Sequence, residues 1–394
     1  MLSSKLIPGV YVQDVYPVPE PQFITGVPVF LGVRPDTSEV LCNTPYRFRL
    51  WAEFEQQFYV SLGNRSYLPD TVRGFFENGG QLCYVLFLLD QDESTLQQAL
   101  AELEAFDQVD LICAPDLWWG NPSLEQVTRM QQLILEHCDR MNDRFAILDA
   151  ALLDSTNPNA ATIAQLQQQY DRLLGNSGAM YAPWLKIMQG NGIRQIPPCG
   201  HIAGIYSKTD NLQGVFRTPA NNQIDGIIDI SYTLSAEEVI ELANDRSSGN
   251  HGSINSILPL PGRGVRVWGG RTLSRMAEWR YISVRRLFLT IHRWIVLNLA
   301  NFTFEPNDFR LQLLIERELT RYLESLLEQG ALQGTTPAAA FYVRCNAETT
   351  SIEQQDAGRL IAQIGIAPTT PNEFIDIQLI HGETGVSLVY TSPP

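Results

Sequence analysis

Lysine is nearly missing from this chain. It stands only at Lys5, Lys186 and Lys208, so the 28 cationic residues are almost all arginine. Arginine's planar fork suits fixed pairs inside proteins and between them better than a flexible ammonium does. Cations of either kind are outnumbered by 43 acids, which leaves a net charge of −15. That balance argues against nucleic acid as a partner, because a duplex binder needs a basic face to neutralise phosphates. No apolar run reaches the ~18 residues of a membrane span. The nearest, 287–304, is interrupted by His292 and Arg293, so direct membrane insertion is not expected. The N-terminus has no apolar signal segment, since Pro8 and Gly9 closely follow Lys5; synthesis and assembly in the cytoplasm are expected. The six cysteines (Cys42, Cys83, Cys113, Cys138, Cys199, Cys345) form no Cys-x-x-Cys pair. They read as free, mostly buried thiols rather than zinc ligands.

What is present is globular. With 44% hydrophobic and 18% charged residues over 394 positions, the chain has material for two or three cored domains. Residues 1–22 are set apart: a lone strand, Leu6 to Val15, sits behind the linker Pro17-Val18-Pro19-Glu20-Pro21. A strand on a stiff tether cannot satisfy its own edges. From 23 to 261 the pattern alternates. Apolar strands at 23–33, 82–89, 109–114, 145–149 and 179–184 are separated by helical stretches at 71–78, 93–106, 124–141 and 160–174. This rhythm predicts an α/β body, a mainly parallel sheet flanked by helices. Residues 262–380 predict an α+β C-terminal domain, with a Trp279-Arg280-Tyr281 strand and helices over 284–301 and 308–329. The second helix is expected to be capped by Asn307, stopped by Gly330, and to bury Leu311, Ile315, Leu319, Leu323 and Leu326. Residues 381–394 end in another short strand, Val386 to Tyr390.

The chain shows no complete catalytic constellation. Gly175-Asn176-Ser177-Gly178-Ala179 approaches a nucleophile elbow but lacks its last glycine and sits between a helix and a strand in the wrong order. Gly262-Arg263-Gly264 lacks the third glycine of a dinucleotide loop. The five histidines show no metal spacing, and His201 reads as a packed residue. Asp116 and Asp149 end parallel strands, where catalytic acids often sit, but a loop-capping role is preferred. Trp118-Trp119 reads equally as a binding patch or as a lid on the core. No catalytic, cofactor-binding or metal residue is assigned, and no cofactor is expected.

The most informative segment is 262–310. It contains Trp268-Gly269-Gly270-Arg271-Thr272, and eight arginines fall between Arg263 and Arg293, opposed in sequence only by Glu278. This segment closely resembles the C-terminal domain of contractile tail sheath proteins, which build the outer tube of phage tails, R-type pyocins and related injection systems. Further segments match the family in order: Leu6 to Val12, Ile24 to Gly32, Phe75 to Val85, Pro183 to Lys186, Pro197 to Gly204, Phe341 to Cys345, and Ile366 to Ile375. Gly270 departs from the alanine common in relatives.

The resemblance implies a subunit that polymerises helically around an inner tube and contracts to drive that tube through a target envelope. Its implied partners are other copies of itself, the inner tube protein, and baseplate and tail-terminator proteins, within a phage tail or injection particle that is released or membrane-anchored through other components. It implies that Leu6, Ile7, Val10, Tyr11 and Val12, and Val386, Leu388, Val389 and Tyr390, leave their own subunit as strands added to a neighbour's sheet. Charge segregation adds that Arg280, Arg285, Arg286 and Arg293 face the tube or an adjacent subunit; an intrachain role is the alternative. An α/β enzyme, a hydrolase or nucleotide-binding protein, is the competing reading of the whole chain.

Overall fold

The computed structural model describes residues 23–34, 40–63, 65–157, 160–243, 253–369, 375–382 and 385–391, the last two as backbone only. The expected N-terminal arm strand, with Leu6, Ile7, Val10, Tyr11 and Val12, lies outside the described residues.

Eight strands form the body sheet: β1 (Pro28–Val33), β2 (Tyr46–Phe48), β3 (Cys83–Leu88), β4 (Leu111–Cys113), β5 (Phe145–Asp149), β6 (Gly178–Ala182), and, after three strands of a smaller sheet, β10 (Ile254–Leu260) and β11 (Gly264–Trp268). Their order is β11-β10-β6-β5-β4-β1-β3-β2. From β10 to β3 every neighbouring pair is parallel, and only the edge strands β11 and β2 run antiparallel. Central parallel strands are covered on both faces, which is why Cys83–Leu88 and Phe145–Asp149 are apolar almost throughout and buried at every position. One face carries Val29, Leu31, Leu86, Leu88, Ile112 and Leu148 against the helices Glu93–Glu104, Leu124–Met141 and Ile163–Arg172. The other carries Phe30, Val85, Phe87, Cys113, Phe145 and Ile147 against Leu68–Glu77 and Cys199–Gln213. The alternation along each strand sorts the two cores.

The small sheet is β8-β7-β9, from β7 (Leu185–Gln189), β8 (Gly192–Ile196) and β9 (Asp229–Ile230). The third core belongs to the C-terminal region. There the helices Ile282–Leu299 and Phe309–Glu328 pack with β12 (Phe341–Arg344) and β13 (Leu360–Ile366). β13 continues into β14 (Ile375–Gly382) and β15 (Gly385–Thr391), all antiparallel, in the order β12-β13-β14-β15.

Several expectations are corrected. A boundary at 262 would cut the turn of the β10–β11 hairpin, whose second strand belongs to the body sheet. The Trp279-Arg280-Tyr281 strand is instead a 3-10 turn, Ala277–Trp279, followed by a single bridge from Tyr281 to Arg271. The cap of the second C-terminal helix is Asp308, not Asn307: its carboxylate accepts from the amides of Arg310 and Leu311. The strand 385–391 is no orphan in the single chain. Val386, Leu388, Val389 and Tyr390 lie opposite His381, Leu379, Gln378 and Ile377 of β14. A strand with free amides pairs with the nearest open edge, and within one chain that edge is β14.

Candidate functional site

The helix Ile282–Leu299 runs between the body and the C-terminal core, and its arginines decide what it does. Arg286 and Arg293 are seven residues apart and share one helix face. Arg286 is 2% exposed and Arg293 7%. The Arg286 guanidinium meets Asp210 at 2.8 and 2.6 Å and Asp110 at 3.2 Å, and lies over the Tyr206 ring. Burial alone would pull its proton affinity down; the two carboxylates outweigh burial and raise it, so the guanidinium stays charged. Asp110 does a second job. Its two oxygens accept the amides of Gly26 (2.9 Å) and Val27 (2.6 Å), just ahead of β1. Arg293 donates to the carbonyls of Asp107 and Ile24 and stacks over Phe23.

Arg285 is also buried. It donates to Ser177 Oγ and Asn142 Oδ1 and covers the Trp279 ring. Arg280 is half-buried beside Tyr281. Arg275 donates to the carbonyl of Asp171, Arg266 to those of Arg263 and Asn221, and Arg263 to the Asn221 side chain. The cluster is therefore spent largely within the subunit, and the interface expectation is corrected for Arg285, Arg286 and Arg293. A buried arginine needs hydrogen-bond acceptors, but these need not be carboxylates. Most of these arginines use neutral oxygens instead, which accept charge-assisted hydrogen bonds equally well in geometry.

The Trp268-Gly269-Gly270-Arg271-Thr272 motif is a staple between the body sheet and this helix. Asn255 of β10 donates to the carbonyls of Met180 and Arg271 and accepts the Arg271 amide. Gly269 sits so close that a Cβ there would meet Asn255 Oδ1 at 2.6 Å. Arg271 reaches the carbonyl of Ala243, and the Thr272 hydroxyl donates to the carbonyl of Trp279. Trp268 remains 44% exposed, the one member of the motif left free to meet another surface. At Gly270 a Cβ would fall 2.1 Å from the Thr218 methyl, so an alanine there requires that side chain to turn.

The strand-end aspartates cap loops. Asp116 accepts from the amides of Val33 and Tyr67 and the Ser66 hydroxyl. Asp149 accepts the Cys199 amide at the start of the 199–213 helix. Burial pushes their carboxyls up, to about 6 and about 7. Trp118 donates to the Asp149 carbonyl and leans on Trp184, which is the lid arrangement. His201 packs against Gly74, and burial lowers its pKa to about 4. The cysteines are free, five of them buried. Among the described residues, no helix is long and apolar enough to cross a membrane. Asp110 and Asp210 are the site residues that sequence reasoning missed. Each is far from Arg286 in the chain, and neither carries a local signal.

Family models match most of the chain: the phage tail sheath protein central domain over residues 92–273 and the phage tail sheath C-terminal domain over 275–380. The tail sheath protein of Salmonella phage ViI is 23% identical over 180 residues, 45% of this chain and 26% of that protein. The chain spans less than half the length of the curated relatives it matches. Solved structures match nearly end to end. The cryo-EM structure of the anti-feeding prophage baseplate contains a chain 28% identical, with a TM-score of 0.72 and coverage of 94% of this chain and 97% of that one. The PVC sheath complex of an extracellular contractile injection system, in its contracted state, gives 27%, 0.71, 94% and 96%. The chain belongs to the contractile tail sheath family.

Proposed function

We propose that this chain is a structural subunit of a contractile sheath, polymerising helically around an inner tube and shortening to drive it through a target envelope. The observation that carries the reading is likeness over 94% of the chain to sheath-system structures, one of them a contracted sheath complex. The subunit's partners are its own copies, a tube protein, and baseplate and terminator proteins. The free energy comes from the lattice, with no nucleotide turnover. Under this reading the strand 6–12 and β15 exchange between neighbours. Strand addition supplies hydrogen bonds across chains without new side-chain complementarity. About fifteen extended residues reach roughly 50 Å, enough to span to an adjacent subunit. Head-to-tail contacts of this kind do not close on themselves and build helices.

The enzyme alternative would recruit Asp116 and Asp149, but both oxygens of Asp116 already accept backbone amides and Asp149 accepts the Cys199 amide, each as a buried loop cap. Electron microscopy of the purified chain separates the readings: long tubes support a sheath, and a compact particle that never elongates refutes it. Removing residues 1–18 should then leave a folded monomer without tubes. Normal tubes from the truncated chain would remove the N-terminal arm from the mechanism.

A further inference from the structure

Three parts of the subunit meet at Phe23–Val27: the body sheet, the helix Ile282–Leu299, and the chain that precedes Phe23. We propose that Arg293, with Arg286, is a positioning residue that fixes this segment and so sets the direction in which the preceding chain leaves the subunit. The inference rests on the sheath reading, in which that preceding chain reaches a neighbour.

The contacts bracket the segment from both ends. Arg293 holds its start, donating to the Ile24 carbonyl at 3.1 Å with its guanidinium 5.2 Å from the centre of the Phe23 ring. The same side chain is itself anchored by the Asp107 carbonyl at 2.8 and 3.2 Å. Arg286 holds the end through Asp110, whose carboxylate also takes the Gly26 and Val27 amides. The backbone between them has no slack. Gly26 has a φ of +73°, and a Cβ there would lie 2.6 Å from the Ser207 Cα, so only glycine lets the segment lie this close to the 199–213 helix. Val27 then returns its carbonyl to the amides of Asp110 and Leu111. The five residues are thus held from both ends by one helix face, directly at Phe23 and Ile24 and through Asp110 at Gly26 and Val27, with the start of β4 closing on the Val27 carbonyl.

A merely stabilising role predicts something different from a positioning role. Arg293 bonds backbone carbonyls, so replacing it leaves no carboxylate stranded, unlike Arg286. Arg293→Met is therefore the clean variant, Arg293→Lys the conservative one, and Phe23→Ala removes the ring on the segment itself without touching the helix. The measurements on the full chain are hydrogen exchange of the peptide covering 23–27, melting temperature, and tube yield by negative-stain microscopy. For Arg293→Met and Phe23→Ala, exchange over 23–27 should rise about tenfold, as expected when a local opening loses one of its restraints. Melting should stay close to the parent, and tube yield should fall severalfold. Arg293→Lys should recover part of both. Unchanged exchange at 23–27, or full tube yield with raised exchange, overturns the proposal. If Arg293→Met fails to fold, the Phe23→Ala result decides alone. A parent chain that forms no tubes refutes the sheath reading, while the exchange data still decide whether the segment is held as described.

Discussion

Arg286 grips Asp210 end-on, Nη1 to Oδ1 at 2.8 Å and Nη2 to Oδ2 at 2.6 Å, across 76 residues of sequence and with both side chains buried. Asp110 completes the site, its Oδ2 3.2 Å from the same Nη2. Removing the cation strands two buried carboxylates, a loss of roughly 3–5 kcal/mol. Arg286→Met should lower the unfolding free energy by about that much in urea titration. Arg286→Glu adds a third acid to the same cavity and should give insoluble or unfolded chain. A soluble, normally folded Arg286→Glu monomer would show that the pair is dispensable.

The body was legible in the sequence because parallel strands covered on both faces are written as uninterrupted apolar runs, as at Cys83–Leu88 and Phe145–Asp149. The stripe Leu311, Ile315, Leu319, Leu323, Leu326 was legible for the same reason, since periodicity records burial directly. The arginines were not. Their partners, Asp110, Asp210, Ser177, Asn142 and the carbonyls of Asp107 and Ile24, come from distant strand ends, turns and a helix, and only the folded topology brings them together. Charge segregation in sequence therefore suggested a surface where there is an interior. Asn307 and Asp308 are adjacent residues of equal capping aptitude, and backbone geometry alone chose between them. The last strand was visible as a strand, but not its pairing with β14.

Asp149 should make the protein's stability depend on pH. Burial raises its carboxyl to about 7 in the folded state, above the unfolded value. Between roughly pH 4 and 7 the folded chain therefore holds more protons than the unfolded chain, and stability falls as pH rises through that window. Asp149→Asn keeps an acceptor for the Cys199 amide and removes the titration. Its stability relative to the parent should improve steadily from pH 4 to 7.5, by at most about 4 kcal/mol. His137 and His201, both lowered to about 4, act in the opposite sense and are common to the two proteins, so the difference isolates Asp149. A difference that does not change with pH would mean that Asp149 is ionised in the fold.

The crossing of helices Leu68–Glu77 and Cys199–Gln213 depends on glycine at three places. A Cβ at Gly200 would lie 2.3 Å from the Thr71 carbonyl oxygen, one at Gly204 2.4 Å from that of Phe75, and one at Gly74 2.1 Å from the His201 ring. The first two obstacles are backbone and cannot turn aside, so the helices must part. Gly200→Ala and Gly204→Ala should each destabilise by about 1–3 kcal/mol, despite alanine's better helix propensity. Gly270→Ala meets only the Thr218 methyl and should cost less than either. Equal melting temperatures for all three variants would contradict this ranking.

The last strand tests whether the subunits are woven. In the single chain, Gln378 of β14 lies directly opposite Val389 of β15. Opposed positions on antiparallel strands bring Cβ atoms to roughly 4.5–5.5 Å, close enough for a disulfide after small adjustment. The background helps, because five of the six native cysteines are buried and unpaired. In Gln378→Cys/Val389→Cys monomer, mild oxidation should therefore close an intrachain bond and leave a single band on a denaturing gel. If β15 moves to a neighbour during assembly and pairs there in the same register, the bond formed in tubes links different chains. Oxidised tubes should then run as a ladder of covalent oligomers that collapses on reduction. Monomer oxidised beforehand should be unable to release the strand, and should not assemble until reductant is added. Tubes that yield only the intrachain product would mean that β15 stays with its own subunit, leaving any weaving to other segments.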